Sequence, residues 1–404
     1  MFHTKASGRV PHGQGRGARR TLLGGVAVRR GALGVLAVLM LAVTVPATAS
    51  AKPQPVQWAA LGDSYTSGVF VGAPSPPLGS PDRDGCARTT GSYPYLVERG
   101  LAAHPPAGRA VRLTDVGCGN ATINEITVER QTPIDPVQEP SGGWPGVAPQ
   151  VDRAHVRAST GLVTIGVGVN TLPIADMEEA CLLLGTGRPD RATPCRDAYE
   201  NGGPPLDHES IHAKYDRITR QYGAMLRAVR QRAPHAKIVT VGYPTIFPAD
   251  ARGCDRHDPT ELATRLVGGE LVSMTHGDIA WLHGVITHVN AIIRSLTERY
   301  GDTYVDTATS SVGHDACRSR ATKWVQGFCG QAAPYWPTEI ALVHVTMVCS
   351  GGNRATIVHP DAAGQANIAA QVEAAVRAAV CPRRKSWGVA GGTGAGRCLR
   401  VGHP

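Results

Sequence analysis

The chain has 404 residues, of which 42% are apolar and 18% are charged, a balance that is typical of globular proteins and excludes a disordered chain. Its net charge of +9 (41 Lys and Arg against 32 Asp and Glu) comes mostly from residues 1–51, which hold seven basic residues and no acidic one. Without that segment the balance is 34 against 32, so the rest of the chain lacks the concentrated basic charge typical of proteins that bind nucleic acid, and we expect no such partner.

The first 51 residues have the pattern of an export signal. Arginines precede an apolar run from Gly31 to Val45, and two overlapping Ala-x-Ala cleavage sites, ending at Ala49 and Ala51, follow it. A run of about 15 residues is short for a membrane span. We therefore predict that residues 1–51 are a signal peptide, that the protein is secreted and extracellular, and that no membrane span remains after cleavage. An uncleaved anchor is the alternative, and both Sec and Tat export fit the leader.

The chain contains ten cysteines, and all of them follow the leader. An even number of cysteines in an exported protein predicts disulfide bonds. No Cys-x-x-Cys pair occurs, so the spacing argues against a zinc site. We expect neither a metal nor another cofactor.

Apolar runs and amphipathic segments alternate along the chain. The predicted strands are Val56–Leu61, Leu113–Val116, Leu162–Val169, Ile238–Val241 and Thr303–Val305. The predicted helices are Tyr93–Ala103, 171–185, His212–Ala233, Trp281–Tyr300 and Ala362–Val380. Loops are predicted at 70–90, 131–148 and 186–208, and a flexible tail at 382–404. This order implies an α/β fold with a central parallel sheet covered on both faces, and a site at the carboxyl ends of its strands.

Polar residues follow three of these strands. Gly62-Asp63-Ser64 follows the first, Gly119-Asn120 the second and Asn170 the third, while His359 precedes the last helix. A serine nucleophile needs a base, and it needs hydrogen-bond donors for the developing oxyanion. A serine hydroxyl, main-chain N–H groups at tight turns, an asparagine amide and an imidazole supply each of these parts.

The segments around these positions resemble the SGNH (GDSL-like) hydrolases, in particular their secreted actinobacterial lipase and esterase branch. The similar blocks are Trp58–Gly68, Asp115–Cys118, Val163–Thr171, Gly242-Tyr243-Pro244 and His359–Gly364. The resemblance covers most of residues 56–380. It implies a flavodoxin-like three-layer α/β/α fold over residues 52–381, and hydrolysis of carboxylic esters through an acyl-enzyme.

The resemblance also implies roles for single residues. Ser64 is the expected nucleophile and His359 the expected base. The oxyanion hole is expected from the N–H of Ser64, an N–H of Gly119 or Asn120, and the side chain of Asn170. The family's spacing implies the disulfides Cys86–Cys118, Cys181–Cys195 and Cys254–Cys317, which leaves Cys329 with Cys349 and Cys381 with Cys398 by elimination.

The chain departs from the family's pattern at three places. Asn120 stands where the second block has glycine, Thr171 follows Asn170 where the family has aspartate, and Thr356 replaces the acid three residues before His359. We hypothesise that a main-chain carbonyl near Thr356 orients His359, which makes the pair a dyad. Asp361 is the other candidate for that role, but its place before a helix favours a cap.

These observations predict a monomeric secreted serine esterase or lipase that acts on a small-molecule or lipid ester. One alternative is a carbohydrate acetylesterase. Another is a non-catalytic secreted binding protein that kept the fold, which the three departures motivate. An α/β-hydrolase is excluded because Thr66 stands where the G-x-S-x-G elbow needs its second glycine.

Overall fold

The computed structural model describes residues 54–205 and 207–381, so the predicted signal peptide and the predicted tail lie outside the described residues. The strands are β1 Val56–Gly62, β2 Val111–Asp115, β3 Leu162–Gly166, β4 Lys237–Val241, β5 Ala263–Leu266, β6 Leu271–Ser273, β7 Thr303–Val305, β8 Cys329–Gly330, β9 Glu339–Ala341, β10 Thr346–Val348 and β11 Arg354–Ala355. The α-helices are α1 Ser64–Ser67, α2 Tyr93–Ala103, α3 Ile123–Thr127, α4 Gln150–Arg153, α5 Ile174–Gly185, α6 Pro194–Glu200, α7 Ile211–Arg232, α8 His276–Arg299, α9 Thr307–Ser310 and α10 Ala362–Val380.

Five strands form a parallel sheet in the order β2-β1-β3-β4-β7. Counted within this sheet the order is 2-1-3-4-5, which is that of flavodoxin-like folds. Strand β1 lies between β2 and β3 and is parallel to both, so the carboxyl ends of the three strands lie side by side at one edge of the sheet. The predicted parallel sheet is confirmed, and its topology brings the three polar turns together.

Two apolar cores cover the two faces of the sheet. Along β1, Ala59 and Leu61 enter one core, whereas Trp58 and Ala60 enter the other. Helices α3, α5, α7 and α8 contribute to the first core, and α2 and α10 contribute to the second. Successive side chains of a strand point to opposite faces of the sheet. A strand with apolar side chains on both faces therefore needs a layer of helices on each face. The predicted three-layer α/β/α architecture is therefore confirmed.

Some boundaries and one sheet differ from the sequence prediction. The third strand ends at Gly166 and not at 169, because the chain winds into a 3₁₀ turn over Val169–Thr171. The predicted loop 186–208 contains α6, which starts with a proline at its first position. A four-stranded antiparallel sheet with the order β6-β5-β10-β9 was missed altogether. Its strands have only three or four residues, too few for a local periodicity to mark them, and the pairing of β5 with β10 spans about eighty residues.

Four disulfides cross-link the described residues. They join Cys86 to Cys118, Cys181 to Cys195, Cys254 to Cys317 and Cys329 to Cys349. The first three pairs are those that the family resemblance implied, and the fourth is one of the two left by elimination. The expected partner of Cys381, Cys398, lies outside the described residues.

Within residues 54–205 and 207–381, no helix combines the length and the apolar character needed to cross a membrane.

Candidate active site

The first polar turn places Ser64 at the start of a short helix behind β1. Asp63 is the N-cap of α1, and its side chain accepts a hydrogen bond from the N–H of Tyr65. A Cβ atom at Gly62 would lie 2.3 Å from the carbonyl oxygen of Gly166 on the neighbouring strand. Only glycine fits this close approach, so the Gly-Asp-Ser order produces a sharp turn with a partly exposed serine.

His359 reaches this serine from the other end of the chain. Its Nε2 lies 2.8 Å from Ser64 Oγ, although the two residues are 295 positions apart. Asp361 caps α10 by accepting from the N–H groups of Ala363 and Gly364, as expected. The structure therefore brings together the two residues that the sequence proposed as nucleophile and base, and it leaves Asp361 in a structural position.

Main-chain carbonyls face the other nitrogen of the imidazole. His359 Nδ1 lies 3.0 Å from the carbonyl oxygen of Thr356 and 2.5 Å from that of Ile357. Ile357 and Val358 have left-handed φ angles of 42° and 48°, which are rare for β-branched residues. With these left-handed dihedral angles, the carbonyl groups of Thr356 and Ile357 point toward the imidazole ring. Both carbonyls can only accept, so the geometry favours the tautomer with the proton on Nδ1 and leaves Nε2 free to accept from Ser64.

Thr356 itself is tied away from the imidazole. Its side chain is 1% exposed, and its hydroxyl donates to the carbonyl oxygen of Gly327 at 2.8 Å. Its N–H donates to the carbonyl oxygen of Phe328 at 2.8 Å. The segment before β8 thus holds the turn that carries the two carbonyls.

Aromatic rings flank the imidazole. The ring of Tyr65 lies 5.1 Å from that of His359, and the ring of Phe70 approaches edge-on at 6.2 Å. Burial lowers the pKa of His359 below its usual 6.5, and the hydrogen bonds to Ile357 and Thr356 offset this only in part. The imidazole is therefore neutral at neutral pH, as a general base must be.

The two candidate donors of the second turn are not equivalent. The N–H of Gly119 donates to the carbonyl oxygen of Cys86 at 3.0 Å, so it is already occupied. Asn120 has a left-handed φ of 64°, is exposed, and its N–H has no acceptor among the described residues. We therefore retain Asn120 and not Gly119 as the candidate main-chain donor of this turn.

The remaining donors lie on the first and third turns. The N–H of Ser64 is at the first position of α1 and finds no acceptor within the described part of the chain. Asn170 is partly buried, and its amide donates to the carbonyl oxygen of Ala121 at 3.1 Å. That bond uses one of the two amide protons and fixes Asn170 next to the turn that contains Asn120.

Two supporting residues were not anticipated from the sequence. Gln150 accepts from the N–H of Gly62 at 2.7 Å and donates to its carbonyl oxygen at 2.8 Å, which clamps the end of β1. Tyr243 donates to Asp63 Oδ2 at 2.5 Å. Gly242-Tyr243-Pro244 was among the similar blocks, which was a signal for Tyr243, whereas nothing in the sequence marked Gln150.

Cys254, Glu261 and Cys317 are the three residues whose potential metal-ligand atoms cluster within the described ranges. The two cysteines form a disulfide, so their sulfurs are not thiolates. This donor set does not fit a metal ion.

The comparisons with known proteins agree with this geometry. The model of the GDSL-like lipase/acylhydrolase family matches residues 60–367. Lipase 2 of Streptomyces coelicolor is 31% identical over 73% of this chain and 84% of its own length. The chain belongs to the GDSL-like lipase/acylhydrolase family. The resemblance read from the sequence is thereby confirmed.

Other similar proteins are more distant. An esterase of Streptomyces scabiei is 28% identical over 54% of this chain and 61% of its own length. The crystal structure of phospholipase A1 from Streptomyces albidoflavus is 20% identical, covers 80% of this chain and 99% of its own, and superposes with a TM-score of 0.49. As a GDSL-like hydrolase with relatives named lipase and esterase, the protein is a carboxylic ester hydrolase.

Proposed function

We propose that the protein is a serine esterase in which Ser64 is the nucleophile and His359 is the general base. The observation that carries this proposal is the 2.8 Å contact between His359 Nε2 and Ser64 Oγ, with the opposite ring nitrogen turned toward main-chain carbonyls. Nucleophile, base and an orienting group in hydrogen-bond reach are the parts of an activated serine.

The reaction follows from these positions. Ser64 Oγ attacks the ester carbonyl carbon while its proton passes to His359 Nε2. The N–H groups of Ser64 and Asn120 and the free amide proton of Asn170 are the proposed donors to the oxyanion. The tetrahedral intermediate collapses, His359 protonates the departing alcohol, and an acyl-enzyme remains. Water, deprotonated by His359, then attacks the acyl carbonyl carbon, and the bond to Ser64 Oγ breaks as His359 returns the proton to that oxygen, which releases the carboxylic acid.

We propose that the acyl part of the substrate is apolar. The side of the imidazole that faces Phe70 is lined by an apolar cluster, in which Phe70 packs on Trp336 with ring centroids 5.6 Å apart. The relatives named lipases support the same direction.

The experiment compares hydrolysis of p-nitrophenyl acetate and p-nitrophenyl decanoate by the oxidised protein and by Ser64→Ala and His359→Ala. Exposed residues of the same types provide matched controls, Ser350→Ala and His257→Ala. We expect the two site variants to lose about 10³-fold or more in kcat, and the controls to keep wild-type rates. A fluorophosphonate should phosphonylate Ser64 Oγ with loss of fluoride, and the added phosphonyl mass should map to Ser64.

Equal activity of Ser64→Ala and wild type would remove Ser64 as nucleophile. A higher kcat/KM on acetate than on decanoate would count against an apolar acyl group and favour a short-chain ester such as an acetylated glycan.

We further propose that the protein works outside the cell. The described residues contain four disulfides, and disulfide bonds persist in oxidising environments but are rare in the cytosol. The test is expression of the full chain with its own leader, followed by mass spectrometry of protein from the medium. A mature chain that starts at Ser50 or Lys52 is expected, and a membrane fraction that retains residues 1–51 would instead indicate an anchor.

A further inference from the structure

Tyr243 lies behind the candidate oxyanion hole and takes no part in the bond-making steps above. It comes two residues after β4 and is 2% exposed. Its hydroxyl donates to Asp63 Oδ2 at 2.5 Å and accepts from the N–H of Val169 at 3.1 Å. A single oxygen atom thus bridges the turn after β1 and the turn after β3.

We propose that Tyr243 is a positioning residue for ester hydrolysis, whose hydroxyl sets the separation of the turn that carries Ser64 from the turn that carries Asn170. The proposal rests on the proposed function. Each residue bridged by the hydroxyl directly precedes a proposed oxyanion donor, because Asp63 precedes Ser64 and Val169 precedes Asn170. A displacement of about 1 Å in such a constellation can lower the rate about 100-fold.

The tyrosine is held firmly enough to act as a spacer. Its N–H donates to Asn290 Oδ1 at 2.8 Å, and Asn290 Nδ2 donates back to its carbonyl oxygen at 2.9 Å. Its ring meets that of Tyr65 edge-on, with centroids 5.2 Å apart. The backbone and the ring are therefore both fixed, so the position of the hydroxyl follows from the packing of α8 and α1.

The direction of the hydrogen bonds is determined by chemistry. The N–H of Val169 can only donate, so the tyrosine oxygen accepts there and its own proton goes to Asp63. Burial and the charge of Asp63 raise the pKa of Tyr243 well above its usual 10, so the phenol keeps this proton. Asp63 accepts from Tyr243 through one oxygen and from the N–H of Tyr65 through the other. Loss of the hydroxyl leaves both the Val169 N–H and Asp63 Oδ2 without this partner.

The test is Tyr243→Phe, with Tyr199→Phe as the matched control. Tyr199 is also fully buried, and its hydroxyl also donates to a carboxylate, that of Asp207, at 3.1 Å. It lies on α6, and its ring stacks on that of Trp281. Active sites are counted with a fluorophosphonate, and kcat and KM are measured on p-nitrophenyl acetate. We expect kcat per labelled site to fall about 10- to 100-fold in Tyr243→Phe, with KM within about twofold of wild type. Tyr199→Phe should keep the wild-type kcat per site.

A second variant, Asp63→Asn, distinguishes loss of the hydrogen bond from a general folding defect. Asp63→Asn retains an oxygen for the cap but offers an amide donor to Tyr243 in place of an acceptor. If Tyr243 and Asp63 act through this one hydrogen bond, the double variant Tyr243→Phe/Asp63→Asn should lose no more kcat than the worse of the two single variants. Additive losses would overturn the proposal, as would a folded Tyr243→Phe with a kcat per site within about twofold of wild type.

Ser64→Ala distinguishes a failure of the proposed nucleophile from a failure of the positioning role. Retained activity in Ser64→Ala would refute the proposed nucleophile. Activity that disappears in Ser64→Ala and persists in Tyr243→Phe would refute only the positioning role.

Discussion

Replacing Thr356 with aspartate restores the acid that GDSL-like relatives were expected to carry three residues before the histidine. We expect the substitution to harm this protein. The Thr356 side chain points away from the imidazole and donates its hydroxyl proton to the carbonyl oxygen of Gly327 at 2.8 Å, with that of Phe328 at 3.4 Å. An aspartate oxygen there would face two acceptors, while His359 Nδ1 is already matched by main-chain carbonyls.

The magnitude follows from burial. Thr356 is 1% exposed, so an aspartate would place an unpaired carboxylate in the interior, at a cost of about 3 to 5 kcal/mol in the free energy of unfolding. The lost hydroxyl bond adds about 1 kcal/mol. A typical domain is stable by about 5 to 15 kcal/mol, so the variant loses a large fraction of its stability. Since the same turn carries the carbonyls that face His359, kcat per folded molecule should also fall, by about tenfold or more.

The assay combines urea unfolding with kcat on p-nitrophenyl acetate at a temperature where the variant is folded. Thr356→Ser keeps the hydroxyl and should match wild type. Thr356→Val should lose only about 1 kcal/mol, because the Gly327 carbonyl oxygen still accepts from the N–H of Val358. A Thr356→Asp protein as stable as wild type and faster would show that an acid can take over, and the carbonyl hypothesis would then be wrong.

Three further predictions concern the frame of the site. Gly62→Ala should reduce the free energy of unfolding in urea by about 1 to 3 kcal/mol or more and lower kcat, because the new Cβ would lie 2.3 Å from the Gly166 carbonyl oxygen; an unchanged protein would contradict the close approach of the two strands. Burial raises the pKa of Asp63 from 3.8 to about 7. Between these two pH values the folded state binds more protons than the unfolded state, so the free energy of unfolding falls as the pH rises from about 4 to about 7. Asp63→Asn should therefore gain stability relative to wild type between pH 4 and pH 8 in urea titrations, and a constant difference would refute the assignment. Replacing Cys329 and Cys349 with serine opens a loop with a sequence separation of 20 and should lower the free energy of unfolding by about 3 kcal/mol. The measurement is thermal unfolding, and an unchanged stability would indicate that the two cysteines are reduced in the wild type.

Local apolar patterns in the sequence were sufficient to predict the parallel sheet and the helices that cover it. The predicted segments Tyr93–Ala103, Thr303–Val305 and Ala362–Val380 agree with the structure residue by residue. These elements bury one stripe or both faces, so their apolar spacing is imposed by the core. Helix α8 begins at His276, five residues before the predicted start, because Thr275 caps it by accepting from the N–H of Asp278.

The antiparallel sheet could not be predicted in this way. Strand β5 pairs with β10, about eighty residues later in the chain, and neither has more than four residues. Hydrogen bonds of this kind depend on which segments the rest of the fold brings together, and a strand of three residues shows no period. The same holds for β8 and β11, which pair next to the turn that contains Thr356.

Long-range contacts also decide which second-block N–H is free. Gly119 and Asn120 look equivalent in the sequence, but the carbonyl oxygen of Cys86 accepts from Gly119. Cys86 is held there by its disulfide to Cys118. The choice between neighbouring donors is thus made by a residue more than thirty positions away, which a motif of adjacent residues does not contain.

In the part of the chain that the structure describes, main-chain carbonyls and not a carboxylate face His359 Nδ1, and this has a defined chemical consequence. In a Ser-His-Asp triad the carboxylate fixes the tautomer of the imidazole and stabilises the imidazolium that forms as the serine gives up its proton. The carbonyls of Thr356 and Ile357 accept from Nδ1 and can therefore fix the tautomer equally well. Their dipoles stabilise the imidazolium less than a full negative charge does, so they offset only in part the lowering of the His359 pKa by burial, and the base is weaker. A weaker base keeps its neutral form at lower pH, and the remaining stabilisation of the transition state must then come from the oxyanion donors, whose spacing Tyr243 is proposed to set.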